Sequence, residues 1–156
     1  MQLVVDGLIF IFQKYGGITR LFTETLPRLC DLEPTLTTIL LTYPQGAPID
    51  LPQRDRIIRK SVPNLYRYLR PQSFWNSYYS DLYKMATRAL VGRSRGKIWL
   101  STYYSSPIRW DGNCACVAYD FIHEKFRSRY WHDDLLQADD TIGKKAAAIS
   151  KADLVI

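Results

Sequence analysis

The sequence is poor in the side chains that build disulfide and metal sites. It holds three cysteines and two histidines in 156 residues. An odd cysteine count, with Cys114 and Cys116 inside an apolar run and Cys30 far away, favours reduced, buried thiols over a disulfide framework and points to the cytosol. Neither His123 nor His132 stands at zinc-ligand spacing from the thiols, so we expect no metal.

Long hydrophobic runs are also missing. No stretch approaches the roughly 18 apolar residues that a membrane-spanning helix needs. The apolar beginning, MQLVVDGLIFIF, contains Asp6, lacks a basic region before it and has no small-residue cleavage site after it, so we expect no signal peptide. These absences predict a cytoplasmic protein that is at most peripheral on the inner face of a membrane.

Low-complexity tracts and the dinucleotide fingerprint are absent as well. Hydrophobic residues at 47% and charged residues at 23% are globular values, and the length suits one α/β domain. The missing G-x-G-x-x-G motif weighs against a nicotinamide-dependent enzyme.

Acidic side chains are scarce in one segment only. Residues 54–97 contain eleven Lys/Arg and two Asp, a surplus of nine, so with a total of +6 the remainder carries about −3. Seven aromatics lie in the same segment: Tyr66, Tyr68, Phe74, Trp75, Tyr78, Tyr79 and Tyr83. Two interpretations stay open, a solvated helical face with inward aromatics, or a surface for anionic lipid head groups or phosphorylated acceptors. The absence of an RNP, KH or helix-turn-helix signature weighs against nucleic acid as a partner.

Strand and helix patterns alternate along the chain. Apolar, β-branched runs predict strands, and apolar residues at helical spacing predict helices. Pro27 is expected to bend or fray the first helix near its end, and the final DLVI resembles the start of another strand. The predicted strands cover 2–5, 36–43, 97–104 and 114–122, and the predicted helices cover 18–29, 73–90 and 134–152. This order predicts a three-layer, Rossmann-like α/β domain with a mainly parallel central sheet.

The loops at the carboxyl ends of parallel strands carry the candidate site. Six residues should gather there: Asp6, Gly16, Gly17, Tyr103, Tyr104 and Asp120. The Gly16-Gly17 pair is either a plain turn or a place where backbone N–H groups approach a phosphate.

The charged candidates also have two interpretations each. Arg20 would face that phosphate or pair with Glu24. Asp120 would hold a substrate hydroxyl or cap a loop. His123, Glu124 and Arg127 follow closely, at the surface or in the site.

Four sequence blocks occur in the order found in one enzyme family. VVDGLIFIFQKYGGITRLFTETLPRL resembles the amino-terminal stretch of glycosyltransferase family 4, the group 1 transferases, whose first helix begins G-G-I-[ST]-R. STYYSSP and CVAYDFIHE resemble the family's next two strand ends, and KKAAAISKADLVI resembles the helix and strand before the linker to a second domain. Between about 45 and 95 the resemblance is poor.

The resemblance implies a GT-B enzyme with two facing Rossmann-like domains. Residues 1–156 would be the acceptor-side N-terminal domain, ending before the donor-binding C-terminal domain and therefore inactive alone. The implied reaction moves a sugar from a nucleotide-sugar donor to a glycan or lipid-linked acceptor with retained configuration, without metal or cofactor. The alternative is an autonomous module that binds an anionic membrane or nucleic acid through residues 54–97.

Site roles follow from the same resemblance. Gly16, Gly17 and Arg20 would bind the donor diphosphate, and Asp120 would be catalytic. The acceptor would contact four residues: Tyr103, Tyr104, Tyr119 and Glu124. Many relatives carry a His immediately before the aspartate, where this chain has Tyr119, which leaves Asp120 as the better polar candidate.

Overall fold

A computed structural model of the chain describes residues 1–44, 49, 51, 55–63, 76–107, 109–119 and 135–156. The described part contains six strands, β1 Gln2–Val5, β2 Thr37–Thr42, β3 Ile57–Ser61, β4 Lys97–Ser101, β5 Asn113–Cys116 and β6 Leu154–Val155. Its helices are α1 Ile9–Phe12, α2 Gly17–Leu32, α3 Asn76–Val91 and α4 Leu135–Lys151.

All six strands form one parallel sheet in the order β3-β2-β1-β4-β5-β6. The chain builds the sheet outward from β1 to β3, returns to the middle, and builds outward again from β4 to β6. Val5 is therefore paired with Leu40 on one side and with Leu100 on the other. The predicted Rossmann-like fold with a parallel sheet is confirmed, and the switch point between β1 and β4 is where such folds bind ligands.

The strands form a sheet buried on both faces because their side chains are apolar on both. Val5 and Leu40 pack with Phe22 and Leu26 of α2 in one buried cluster. Val4 faces the opposite way and packs in a second cluster with Val91 of α3. Burying apolar area on both faces supplies the main driving force for the fold, about 25 cal/mol per Å² removed from water.

Two elements were not predicted from the sequence. Strand β3 has the sequence IIRKS, in which two of five residues are charged, and it is partly exposed. It lies at the edge of the sheet, where charged side chains discourage pairing with another chain. Helix α1 is a single turn in the segment predicted as a loop.

Helix α2 continues past Pro27 to Leu32, so the proline does not end it.

The predicted strands 97–104 and 114–122 were too long. Strand β4 ends at Ser101, since Thr102 turns to bond with Asp6 and Tyr104 takes a left-handed backbone with φ of 52°. Strand β5 ends at Cys116. The tyrosines that follow these strands consequently lie in loops at the sheet edge, not in the sheet.

Gly7 directly follows β1, and replacing it by any other residue would strain the backbone. Its φ is +63°, and an added Cβ would lie 1.9 Å from the carbonyl oxygen of Leu41 at the end of β2. L-residues disfavour this backbone region, and a backbone oxygen cannot move aside as a side chain does. The glycine lets the chain leave β1 close against β2.

Basic residues of the segment 54–97 bind backbone carbonyls at the end of α3. Lys60 Nζ donates to Leu90 O and Lys97 Nζ to Val91 O, each at 2.6 Å, and Arg88 donates to Gly92 O. The last carbonyls of a helix have no partner within it and carry partial negative charge. These cations therefore stabilise the end of α3, in a segment whose residues 64–75 lie outside the described part.

All three cysteines lie within the described residues. Cys30, Cys114 and Cys116 are all free thiols. The described residues include no group of His, Cys, Asp or Glu arranged to hold a metal ion. Within the same part of the chain, no helix combines the length and apolar character needed to cross a membrane.

Candidate functional site at the sheet switch point

Asp6 lies at the carboxyl end of β1, at the switch point, and is the most buried carboxylate described, with 1% of its surface exposed. Its Oδ1 accepts from Thr102 N at 2.9 Å, from Leu8 N at 3.2 Å and from the Thr102 hydroxyl. Its Oδ2 accepts from the Ser105 hydroxyl. These hydrogen bonds connect the residues after β4 to the end of β1.

The hydrogen-bond network extends from Asp6 into α1 and the loop after β4. Thr102 Oγ1 also accepts from Ile9 N at 3.1 Å, and Ser105 N donates to Ser101 Oγ at 2.7 Å. Buried polar groups with satisfied partners fix one local arrangement, because every alternative leaves a donor or acceptor unpaired. The network therefore presets the position of the loop that carries Tyr103 and Tyr104.

Opposing influences act on the pKa of Asp6. Burial raises it, since a carboxylate loses its hydration there, while the hydrogen bonds from Ser105, Thr102 and Leu8 lower it. Burial prevails, and the pKa of Asp6 lies above its ordinary value. A carboxyl group in this position binds a proton more tightly in the folded chain than in the unfolded one.

Aromatic rings form a row along the same edge. The ring centroids of Phe12 and Tyr103 are 5.1 Å apart, those of Tyr103 and Tyr104 are 5.7 Å apart, and those of Tyr104 and Tyr119 are 6.0 Å apart. Phe12 is 66% exposed and Tyr103 36% exposed, whereas Tyr104 and Tyr119 are partly buried. The row passes from a solvent-exposed aromatic surface into the domain.

The two inner tyrosines, Tyr104 and Tyr119, are joined by a hydrogen bond, and Tyr119 also bonds with the residue that follows β4. Tyr119 N donates to Tyr104 Oη at 3.1 Å, and Tyr119 Oη donates to Thr102 O at 3.1 Å. Burial raises the pKa of both phenols. Both hydroxyls are therefore neutral hydrogen-bonding groups at physiological pH and are poorly suited to act as bases.

Lys145 of α4 also reaches this row. Its Nζ lies 5.3 Å from the centroid of the Tyr104 ring, a cation–π distance, and the residue is 5% exposed. A hydrogen bond and the charge of Lys145 both act to lower the pKa of Tyr104, although burial outweighs them. A cation is thus held beside the aromatic row.

The glycine turn lies at the beginning of α2. Gly16 is the N-cap residue, no side chain caps the helix, and the first turn contains no acidic residue. An added Cβ on Gly17 would meet no atom within 4 Å, so the space beside Gly17 is open, whereas the Gln13 side chain lies against Gly16. The first N–H groups of a helix lack partners within it and favour an anion, which makes the turn compatible with phosphate binding.

The structure brings together part of the predicted site. Asp6, Tyr103 and Tyr104 lie along one edge as expected, and Tyr119 lies beside Tyr104. Arg20 is exposed one turn into α2, and Glu24 pairs with Arg28 at 2.9 Å. Asp120, His123, Glu124 and Arg127 lie outside the described residues, so their roles stay predictions.

Four residues of the hydrogen-bond network and the aromatic row were not identified from the sequence: Phe12, Thr102, Ser105 and Lys145. Phe12 lies between the predicted strand 2–5 and the predicted helix 18–29, and Thr102 lies inside the predicted strand 97–104. A signal for Lys145 was present, because it lies three residues before Ala148 and so shares the buried stripe of an amphipathic helix.

No family model, curated protein sequence or solved structure matches this chain.

Proposed function

We propose that this domain is the acceptor-side half of a GT-B glycosyltransferase that transfers a sugar from a nucleotide-sugar donor to a glycan or lipid-linked acceptor. A Rossmann-like fold alone serves many functions, so the proposal depends on the site. The observation that carries it is the proximity, at the switch point, of a partly exposed aromatic row and a buried network of hydroxyls and a carboxylate. Four sequence blocks that resemble group 1 transferases support it independently.

The aromatic row suits a carbohydrate ligand. A sugar ring has an apolar face of C–H groups that stacks on an aromatic ring, and its hydroxyls need hydrogen-bond partners at the rim. Phe12 and Tyr103 offer exposed rings, and Tyr104 lies beside Tyr103 with a neutral hydroxyl. In this proposal these residues shape the acceptor site together with Tyr119 and Glu124.

The glycine turn suits the donor. As the bond between the sugar and the nucleotide diphosphate breaks, negative charge grows on the diphosphate and positive charge on the sugar ring. Backbone N–H groups at Gly16 and Gly17, assisted by Arg20, would stabilise the leaving diphosphate, an electrostatic effect exerted at the transition state. Asp120 would orient the acceptor hydroxyl. A second domain would hold the remainder of the donor, and the reaction needs no metal in this proposal.

A direct test compares two glycine variants by NMR. Gly17→Val places a branched side chain in the open space at the turn, and Gly143→Val does the same at another helical glycine with no atom within 4 Å of its Cβ. We expect UDP-, GDP- or ADP-sugars to shift the amide signals of residues 16–20, weakly because one domain alone holds the donor. Gly17→Val should abolish the shifts and Gly143→Val should keep them.

The outcome that would contradict the donor role is equal binding by both variants. The acceptor role has its own test, in which Tyr103→Phe keeps and Tyr103→Ala loses the binding of short oligosaccharides. Unchanged binding by Tyr103→Ala would remove the aromatic row from the acceptor site.

The binding-module alternative receives less support from the described residues. Lys60, Arg88 and Lys97 bind carbonyls at the end of α3, and Arg59 binds Leu51 O at 3.0 Å. Cations fixed in this way contribute to folding and are less available to lipid head groups. Stronger binding to phosphatidylglycerol vesicles than to phosphatidylcholine vesicles, weakening with salt, would restore that alternative.

A further inference from the structure

The connection between β4 and β5 leaves a cavity on one face of the sheet. Parallel strands are usually joined by a crossover helix, but the described residues of 102–112 contain none. Trp110 from this connection packs edge-on against Trp99 of β4, with ring centroids 5.5 Å apart. A cavity of about 340 Å³ remains between the connection, the two strands and the end of α4.

The buried walls of this cavity are apolar, and its exposed rim is cationic. Trp99, Ala115 and Ala148 are buried lining residues. Arg109 and Lys151 are exposed lining residues, and two serines, Ser105 and Ser106, complete the polar lining. The lining residues include two cations and no carboxylate, and the neighbouring Asp153 carboxylate accepts a hydrogen bond from Cys114 N at 2.7 Å.

Trp99 provides a second and independent sign of a ligand. The residue is 4% exposed, and its Nε1–H finds no hydrogen-bond partner in the described part of the chain. An unpaired buried donor destabilises the fold because it loses its hydration, and most such donors in folded proteins are paired. A ligand with an acceptor atom in this cavity would supply the missing partner.

Arg109 is held at the rim in an unfavourable backbone conformation. Its φ of 48° lies in the left-handed region, which is unfavourable for a residue other than glycine. Strain of this kind persists where the surrounding structure fixes it, often at binding sites.

We propose that this cavity binds an aromatic anion, a flat apolar ring system that carries one carboxylate or phosphate. The ring lies against Trp99 and Ala148, an acceptor atom on it meets the Trp99 indole N–H, and the acidic group meets Arg109 and Lys151. The volume falls in the lower part of the range of small-molecule sites, about 300–1,000 Å³. This site lies on a face of the sheet and is distinct from the proposed transferase site, apart from Ser105, which contributes to both.

Two matched probes test the proposal with the full 156-residue chain. Indole-3-acetate is the anionic probe, and indole-3-acetamide has nearly the same shape without the charge. The measurement is the indole N–H signal of Trp99 in ¹⁵N-labelled protein, assigned by its disappearance in Trp99→Phe. We expect indole-3-acetate to shift this signal saturably and to bind at least about tenfold more tightly than the amide, since hydrogen bonds to charged groups are worth that much.

Four variants identify which residues contact the bound probe. Arg109→Gln should weaken indole-3-acetate binding about tenfold, whereas Arg95→Gln, at another exposed arginine, should leave it unchanged. Ala148→Leu fills the cavity and should abolish binding. Ala147→Leu makes the same change on the exposed side of α4 and should keep binding.

Two results would overturn the proposal. Equal affinity for the two probes, with no effect of Arg109→Gln, would show an apolar cavity without preference for anions. A Trp99 signal that neither probe nor phenyl phosphate moves would show a packing void. Because Arg109 is exposed and its replacement spares the core, the test does not depend on whether Ala148→Leu folds.

Discussion

At the scale of single residues, Asp6 has the clearest consequence for stability. Its pKa is raised in the folded chain by burial, so the folded chain holds this proton more tightly than the unfolded one. The contribution to stability is greatest below the ordinary value of 3.8 and is lost as pH rises through the folded pKa. Deprotonated Asp6 therefore costs folding free energy at higher pH.

Asp6→Asn should remove this pH dependence. Asparagine keeps the shape of the side chain, and its oxygen accepts from Thr102 N and Leu8 N as Asp6 Oδ1 does. We expect the unfolding free energy of the variant to improve relative to wild type as pH rises from about 4 to 8, measured by urea unfolding.

Ser105→Ala should change the pH dependence of stability in the direction opposite to Asp6→Asn. The Ser105 hydroxyl bond lowers the pKa of Asp6, so its loss should raise that pKa further and make stability fall more as pH rises. Parallel pH profiles for wild type and both variants would show that Asp6 titrates alike in the folded and unfolded states.

At the scale of elements, two glycines with different surroundings should behave differently. Gly7→Ala places a Cβ against Leu41 O in a left-handed backbone, and we expect it to destabilise the domain by about 3 kcal/mol or more. Gly17→Ala meets open space at the beginning of α2 and should change stability by less than about 1 kcal/mol. Thermal or urea unfolding measures both, and comparable losses would contradict the geometry of the β1 exit.

The end of α3 supplies another prediction at this scale. Lys60→Gln removes a cation bound to Leu90 O and should cost about 0.5–1 kcal/mol in unfolding free energy. Arg93→Gln is a matched control, because Arg93 is exposed beyond the helix end. A loss that is equal in the two variants would show a general charge effect and not a local one.

The sequence predicts elements where an apolar pattern decides them. Strand β1 was predicted with its observed bounds, and β2 within one residue at each end, since Ile39, Leu40 and Leu41 form a continuous apolar run. Strand β3 was missed because an edge strand buries little and carries Arg59 and Lys60.

The polar site was harder to predict than the strands. Asp6 was expected at the sheet edge, but its partners Thr102 and Ser105 lie nearly a hundred positions away in the chain. The strand order that joins them follows from long-range pairing, which local periodicity does not encode. The boundary of β4 depends on the same contacts, so it was overestimated together with the site.

At the scale of the whole molecule, the order β3-β2-β1-β4-β5-β6 sets a gradient of local stability. Strand β1 pairs on both sides and lies between two buried clusters, so its amides are released only when the sheet comes apart. Strand β6 pairs only with β5 over two residues, and Leu154, Val155 and Ile156 are exposed. Opening this edge exposes little additional apolar surface.

Amide hydrogen exchange should reveal this gradient. We expect the amides of Val4, Val5 and Leu100 to exchange slowest, with an opening free energy equal to that of global urea unfolding, because no smaller opening frees the central strands. The amide of Ile156, which donates to Cys116 O at 2.9 Å, should exchange at least about tenfold faster by local opening of β6. Exchange of β1 amides as fast as those at β6 would place β1 at an edge and contradict the strand order, and with it the switch point at which Asp6 and the aromatic row meet.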